Sequence, residues 1–265
     1  MADALTSMPS SAVLDISRPA LTLLGTEPWR AALEFLAFKT HDFTQEKPVS
    51  AGDGHPVIIF PGLATDGAAV GPLRDYCESL GYNAIDWGKG YNTGPKGNTE
   101  AWLADLASHT AELLNGHHDT ATLIGWSLGG LYAREVSKLL TSQVRQVITI
   151  GTPFNAEADY TNVGWLFRLL SGTSAAIDPV LSRRLRTPPP LPTTSIYSRS
   201  DGVVAWQTCC HAKPSRQVQD IEIRGSHIGM GWNPAVLQIV GDRLAQPPAR
   251  WRPYGHKAEP SHCAA

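Results

Sequence analysis

Disulfide scaffolding is the first thing this sequence lacks. Its 265 residues hold four cysteines at irregular spacing, and two of them, Cys209 and Cys210, are neighbours whose bridging would be strained. A metal site at Cys209-Cys210-His211 has no second ligand pair at a recognisable distance along the chain, so no metal is expected. There is no excess of charge: 22 lysines and arginines against 24 acids leave a formal net charge of −2, without the basic footprint of a nucleic-acid binder. No apolar run approaches the roughly 18 residues of a membrane span. The opening MADALTSMPSSAVLDISRP has no basic stretch leading into an apolar one, so no secretory signal is expected; with reduced thiols this points to the cytoplasm. Internal repeats are missing too. What is present is 42% hydrophobic residue content in a length that suits one α/β domain with a full core, or such a domain with a small insertion.

Along the chain, short apolar runs alternate with helical patterns. His55 to Phe60, Tyr82 to Trp87, Thr122 to Ile124, Val144 to Ile150, Thr194 to Ser198 and Val218 to Ile223 read as strands. Helices are expected around Val70 to Leu80, from a Thr99 cap to Gly116, from Leu131 to Leu140, and from Asn233-Pro234 to about Leu244. This alternation predicts a mostly parallel sheet covered by helices on both faces. Residues 1–50 form an N-terminal extension ahead of a core at 51–245. Ser17-Arg18-Pro19 and Thr26-Glu27-Pro28 both look like helix starts, the second opening Trp29 to Phe38. That helix would lie on the domain or over its mouth. Peripheral membrane contact is an alternative that its short length and low basic charge disfavour. The alternation breaks at residues 155–192, where Trp165, Leu166, Phe167, Leu169 and Leu170 cluster; the segment reads as a cap or lid, or else as a crossover helix with a long connection. Residues 246–265 read as a surface tail.

The organising stretch is Ala121 to Val136. A strand enters Gly125-Trp126-Ser127-Leu128-Gly129 and a helix leaves it, which is the context a G-x-S-x-G nucleophile elbow requires. A serine hydroxyl is a weak nucleophile until a base takes its proton, and that base needs a carboxylate to orient it. Nine histidines compete. His41, His256 and His262 lie in segments with no strand end, while His109, His117 and His118 precede the serine on or beside a helix. His55 begins a strand at the end remote from the elbow, and His211 follows no strand. His227, in Gly225-Ser226-His227-Ile228-Gly229 just after a strand, is the expected base. Asp201 follows a strand and precedes Gly202, so it is preferred as the acid over Asp178 in the insertion and Asp220 within a strand. Leu63 N–H, after Pro61-Gly62, and Leu128 N–H are the expected oxyanion donors.

These residues resemble bacterial α/β-hydrolases of the lipase/esterase kind. The likeness is carried by His55-Pro56-Val57 through Pro61-Gly62, Gly125 to Gly130, Gly151-Thr152-Pro153-Phe154, Tyr197 to Gly202 and Gly225-Ser226-His227. It implies the α/β-hydrolase fold with a helical cap, and cofactor-free hydrolysis of small-molecule or lipid esters through an acyl-enzyme on Ser127. Trp165, Phe167 and Leu170 would then line the acyl pocket. Phe60-Pro61-Gly62 departs from the His-Gly opening of many lipases. Acyl transfer or thioester cleavage by the same triad is the nearest alternative, and a silent hydrolase-like binding protein the more remote one. Oligomeric state is not encoded in these motifs.

Overall fold

The computed structural model describes residues 16–43, 51–155, 179–212, 215–247 and 250–255. The expected acyl-pocket residues Trp165, Phe167 and Leu170, and Asp178, lie outside the described residues.

Among the described residues, six strands form one sheet: β1 (Pro56–Phe60), β2 (Asn83–Asp86), β3 (Ala121–Trp126), β4 (Val144–Ile150), β5 (Thr193–Ser198) and β6 (Val218–Ile223). Their order is β2-β1-β3-β4-β5-β6, and every pairing is parallel. The helices are α1 (Leu21–Thr40), α2 (Gly71–Ser79), α3 (Thr99–Leu113), α4 (Leu128–Leu139), α5 (Pro179–Arg186) and α6 (Pro234–Leu244). Strand side chains alternate between faces, so a strand covered on both sides must be apolar throughout. All five residues of β1 are buried. Ile58 and Phe60 pack with Leu103 and Leu106 of α3 and Leu131 of α4, while Val57 and Ile59 pack with Leu73 of α2 and Val236 and Val240 of α6.

This topology positions the site. The chain runs from β1 outward to β2 and then returns to the opposite side of β1 as β3. Loops leaving β1 and β3 therefore diverge, opening a crevice at the C-terminal ends of these strands where ligands bind in open α/β sheets. The Pro61-Gly62-Leu63 loop and Ser127 both stand there.

Several sequence expectations change in detail. The N-cap of α3 is Asn98, whose side chain accepts from Ala101 N–H, and Thr99 is already helical. The two expected helix starts near the N-terminus become one helix of 20 residues with Pro28 inside it. Pro28 cannot donate a backbone hydrogen bond. Side chains supply donors beside it: Thr26 Oγ1 donates to the Thr22 carbonyl at 2.8 Å and Arg30 to the Leu23 carbonyl at 3.0 Å. Trp29, Leu33 and Leu36, an apolar row at helical spacing that periodicity alone would turn inward, point outward at 69%, 50% and 60% exposed, while Glu27 and Ala31 are buried. The tail is only partly free of the core. Tyr254 packs against it, and its backbone exchanges two hydrogen bonds with the Gln219 side chain on β6.

Of residues 155–192, the described part from residue 179 onward contains α5. Its Leu181 and Leu185 are buried in the α3–α4 side of the core, and Arg184 pairs with Glu135 of α4 at 2.5 Å. This portion is a crossover helix between β4 and β5. No helix among the described residues is long and apolar enough to cross a membrane.

Candidate active site

Three loops bring together side chains that are 26 to 100 residues apart. Ser127 follows β3 with φ 54° and ψ −121°, a backbone state that costs a non-glycine residue on the order of 1–3 kcal/mol. Close packing enforces this turn. A Cβ on Gly125 would stand 2.3 Å from the Gly129 oxygen and Gly130 Cα, and one on Gly129 would stand 2.2 Å from the Phe60 oxygen. Those neighbours are backbone and cannot swing aside. Gly129→Ala is expected to lower stability by about 1–3 kcal/mol or more and to reduce soluble yield; an unchanged melting temperature would contradict this packing argument.

Ser127 Oγ lies 3.0 Å from His227 Nε2, and His227 Nδ1 lies 2.6 Å from Asp201 Oδ2. An ionised carboxylate only accepts, so Nδ1 carries the proton and Nε2 is free to accept from the serine hydroxyl. Asp201 Oδ1 accepts from Val203 N–H at 2.8 Å and Val204 N–H at 2.7 Å, which fixes the carboxylate plane. Asp201 is 3% and His227 6% exposed, so water competes poorly for these bonds. Burial pushes the His227 pKa down, but the charge and hydrogen bond of Asp201, with the charge of Glu27, outweigh it and hold the imidazole above its usual value. The backbone of His227 is held as well: Trp126 Nε1 donates to its carbonyl at 3.2 Å. Gly151 has φ 56°, and a Cβ there would sit 3.2 Å from His227 Nδ1. Gly151 thus leaves room for the imidazole.

The expected oxyanion donors flank the serine. Leu128 is the first residue of α4, and Ser127 makes no side-chain cap, so the positive end of that helix faces the serine uncapped. On the other wall, a Cβ on Gly62 would lie 3.5 Å from Ser127 Cβ, so the Pro61-Gly62-Leu63 loop abuts Ser127. The loop is pinned by a residue that sequence reasoning missed. Asn92, fully buried, donates from Nδ2 to the Pro61 carbonyl at 2.9 Å and from its backbone to the Thr65 carbonyl at 2.7 Å. Its own carbonyl accepts from Ala64 N–H, and Ala64 takes the left-handed φ of 57°. Thr65 donates to the Gly62 carbonyl, and Asp66 closes a turn onto Ala68 N–H rather than capping α2.

His211 and Asp220 form a second histidine–carboxylate pair at 2.6 Å. His211 Nε2 accepts from Arg134 at 2.9 Å, and Arg134 also reaches the Leu185 and Thr187 carbonyls at 3.3 Å. Both ring nitrogens are thereby occupied, and the Arg134 guanidinium lies over the Phe154 ring at 3.8 Å. This group ties α4 to α5 and leaves Ser127 to His227. Three cysteines among the described residues, Cys77, Cys209 and Cys210, are free and buried, and burial pushes the Cys77 and Cys210 thiols up to about 12.

Two more residues given no site role by the sequence, Glu27 and Glu34, reach the site from α1. Ser226 N–H donates to Glu34 Oε1 at 2.7 Å, and Gly229 leaves the space for that carboxylate, since a Cβ there would stand 2.2 Å from Glu34 Oε2. The only sequence signal for the pair is two acids seven residues apart around Ala31, on one face of a helix whose apolar residues lie elsewhere.

The parallel β2-β1-β3-β4-β5-β6 sheet, with helices on both faces and a strand–elbow–helix at β3, is the α/β-hydrolase fold. Solved structures share it. A metagenome-derived lipolytic enzyme superposes with TM-score 0.54 at 14% identity, covering 73% of this chain and 93% of that one. Lipase B of Aspergillus fumigatus gives 0.55 at 18% identity over 76% of this chain and 56% of that chain. The monoacylglycerol lipase of Paleococcus ferrophilus gives 0.54 at 14% identity over 74% and 96%. Among curated proteins, the pimeloyl-[acyl-carrier protein] methyl ester esterase of Shewanella woodyi is 28% identical over 104 residues, 39% of this chain and 38% of that protein. The chain thus matches well under half the length of that curated relative. No family model matches the chain.

Proposed function

We propose that this protein is a serine hydrolase of carboxylic esters, acting through an acyl-enzyme on Ser127. The observation that carries this reading is the unbroken hydrogen-bonded line from Ser127 Oγ through His227 to Asp201 at the crevice of the sheet. His227 Nε2 takes the hydroxyl proton as the oxygen attacks the ester carbonyl. Asp201 stabilises the imidazolium, and the Leu63 and Leu128 N–H groups receive the oxyanion. His227 then protonates the departing alcohol, and water repeats the sequence to free the acid. No cofactor takes part in these steps. Similarity to a curated esterase supports ester rather than peptide substrates. The acyl wall is assigned from sequence alone to Trp165, Phe167 and Leu170.

Labelling by a fluorophosphonate at Ser127, together with turnover of a panel of p-nitrophenyl esters of increasing acyl length, tests the reading. Absence of both in folded protein overturns it. Product analysis with an added alcohol separates hydrolysis from acyl transfer.

The pH dependence has a definite sign. Only neutral imidazole accepts the serine proton, so activity is full above the His227 pKa and falls as pH drops through it. Because that pKa is raised, the acidic limb should lie above the usual histidine value of about 6.5. A rate that stays flat from about pH 5 to 8 would remove His227 from the role of base.

A further inference from the structure

Glu27 is 2% exposed, yet it lies on a helix outside the α/β sheet and takes no part in the chemistry described above. Its carboxylate faces two loops at once. Oε1 accepts from Gly202 N–H at 2.7 Å, the residue after Asp201, and from the backbone N–H of His227 at 3.1 Å. Oε2 accepts from Ile228 N–H at 3.2 Å. Three backbone donors from the acid loop and the base loop thus converge on one side chain.

The carboxylate is itself held. Arg30 donates to Oε1 at 2.8 Å and, through its other nitrogen, to the Ser200 carbonyl at 2.7 Å, so the acid loop is gripped on both sides of Asp201. The approach of helix to loop is close: a Cβ on Gly202 would stand 2.5 Å from the Leu23 backbone. Glycine is needed there for this contact and not for a left-handed turn, since Gly202 is not among the positive-φ residues. Seven residues along the same helix face, Glu34 binds Ser226 N–H and the Asn233 side chain. Among the described residues, the charged groups packed against the His227 loop are therefore Asp201 from the loop after β5 and Glu27, Arg30 and Glu34 from α1.

We propose that Glu27 is a positioning residue of the Ser127–His227–Asp201 site, and that α1 completes the active site by clamping the loops of the base and the acid to each other. The inference rests on the reading of these three residues as a triad. A bare packing helix would require only shape; a buried carboxylate that collects three backbone donors from these two loops fixes the separation of His227 from Asp201. Its negative charge also favours the imidazolium that forms when Ser127 attacks.

Glu27→Gln in the full chain is the direct test. The amide keeps one acceptor and loses the charge, and it turns an NH2 group toward a backbone donor. Per fluorophosphonate-titrated site, kcat is expected to fall about 10- to 100-fold with KM within about two-fold, because misplaced reacting groups act on the chemical step. The acidic limb of the pH profile should move to lower pH, and the His227 imidazole followed by NMR should titrate at lower pH. Glu27→Asp retains the charge with a shorter reach, so it should lose rate while keeping the limb in place. Wild-type kcat and an unmoved His227 titration in Glu27→Gln would overturn the proposal, even with a lowered melting temperature. Should Glu27→Gln not fold, wild-type kcat in Glu27→Asp would overturn it equally. The NMR titration needs no substrate, so it reads the hold of Glu27 on His227 even if Ser127 proves not to be a nucleophile; that second failure would appear as an inactive, unlabelled wild type.

Discussion

Ser127→Ala is expected to abolish ester hydrolysis, lowering kcat by about four to six powers of ten, while leaving the fold in place. The loss follows from removing the attacking oxygen. What the structure adds is the expectation of near-normal stability. The cost of φ 54° at this position comes from the Cβ, which alanine shares with serine, so the strain at the elbow is unchanged. Among the described residues, the hydrogen bond that disappears is the one to His227 Nε2, worth about 1 kcal/mol. Ser127→Gly offers a contrasting control: equally inactive, but more stable, because glycine accepts the left-handed φ without penalty. Measuring turnover, fluorophosphonate labelling and melting temperature on all three proteins decides the matter. More than a few per cent of wild-type turnover in pure Ser127→Ala would end the nucleophile assignment.

Asp201→Asn should lower kcat by about four powers of ten with the fold intact. The magnitude depends on which way the amide turns, and the surroundings determine it. Val203 and Val204 N–H groups both point at Oδ1, so the asparagine carbonyl must occupy that position to accept from them. Its NH2 group then faces His227 Nδ1, which can only accept. The proton moves to Nε2, and the ring presents Ser127 with a donor in place of an acceptor. Asp220→Asn is the matched control. Asp220 is engaged with the backbone and ring of His211, on the side of the protein served by Arg134, and its loss should leave kcat within a few-fold. A large fall for Asp220→Asn with a small one for Asp201→Asn would reverse the assignment of the acid.

The parts of the site legible in the sequence share a property: each is announced by its own neighbours. Gly125 and Gly129 around Ser127 announce the elbow, because the close approach of strand and helix forbids a Cβ at those two places. Asp201 and His227 each follow a β-rich run within a few residues, and the order of serine, acid and base along the chain narrows nine histidines to one. Val144–Ile150 and Val218–Ile223 are legible as strands to the residue, since β-branched runs bounded by polar residues and glycine have little competition from helix.

Helix α1 shows where that kind of legibility stops. Its sequence has an apolar row at Trp29, Leu33 and Leu36, which periodicity assigns to the interior; the structure exposes the row and buries Glu27 and Ala31. Hydrophobic patterning estimates the cost of burying a residue without knowing its partners. A buried carboxylate becomes tolerable only when several N–H groups converge on it, and those converging on Glu27 come from 175 to 201 residues away. Asn92 is a similar case, fixing the Pro61 carbonyl from 31 residues downstream.

From the sequence alone came the parallel α/β architecture, the elbow at Ser127 and the choice of Asp201 and His227, all of which depend on local spacing and chain order. Only the tertiary structure decided that the crevice falls between β1 and β3, that Gly151 makes room for the imidazole, and that α1 meets the loops carrying Asp201 and His227 through Glu27. Those features are made of backbone groups meeting side chains across the fold, and a backbone N–H is the same at every residue until folding gives it a direction.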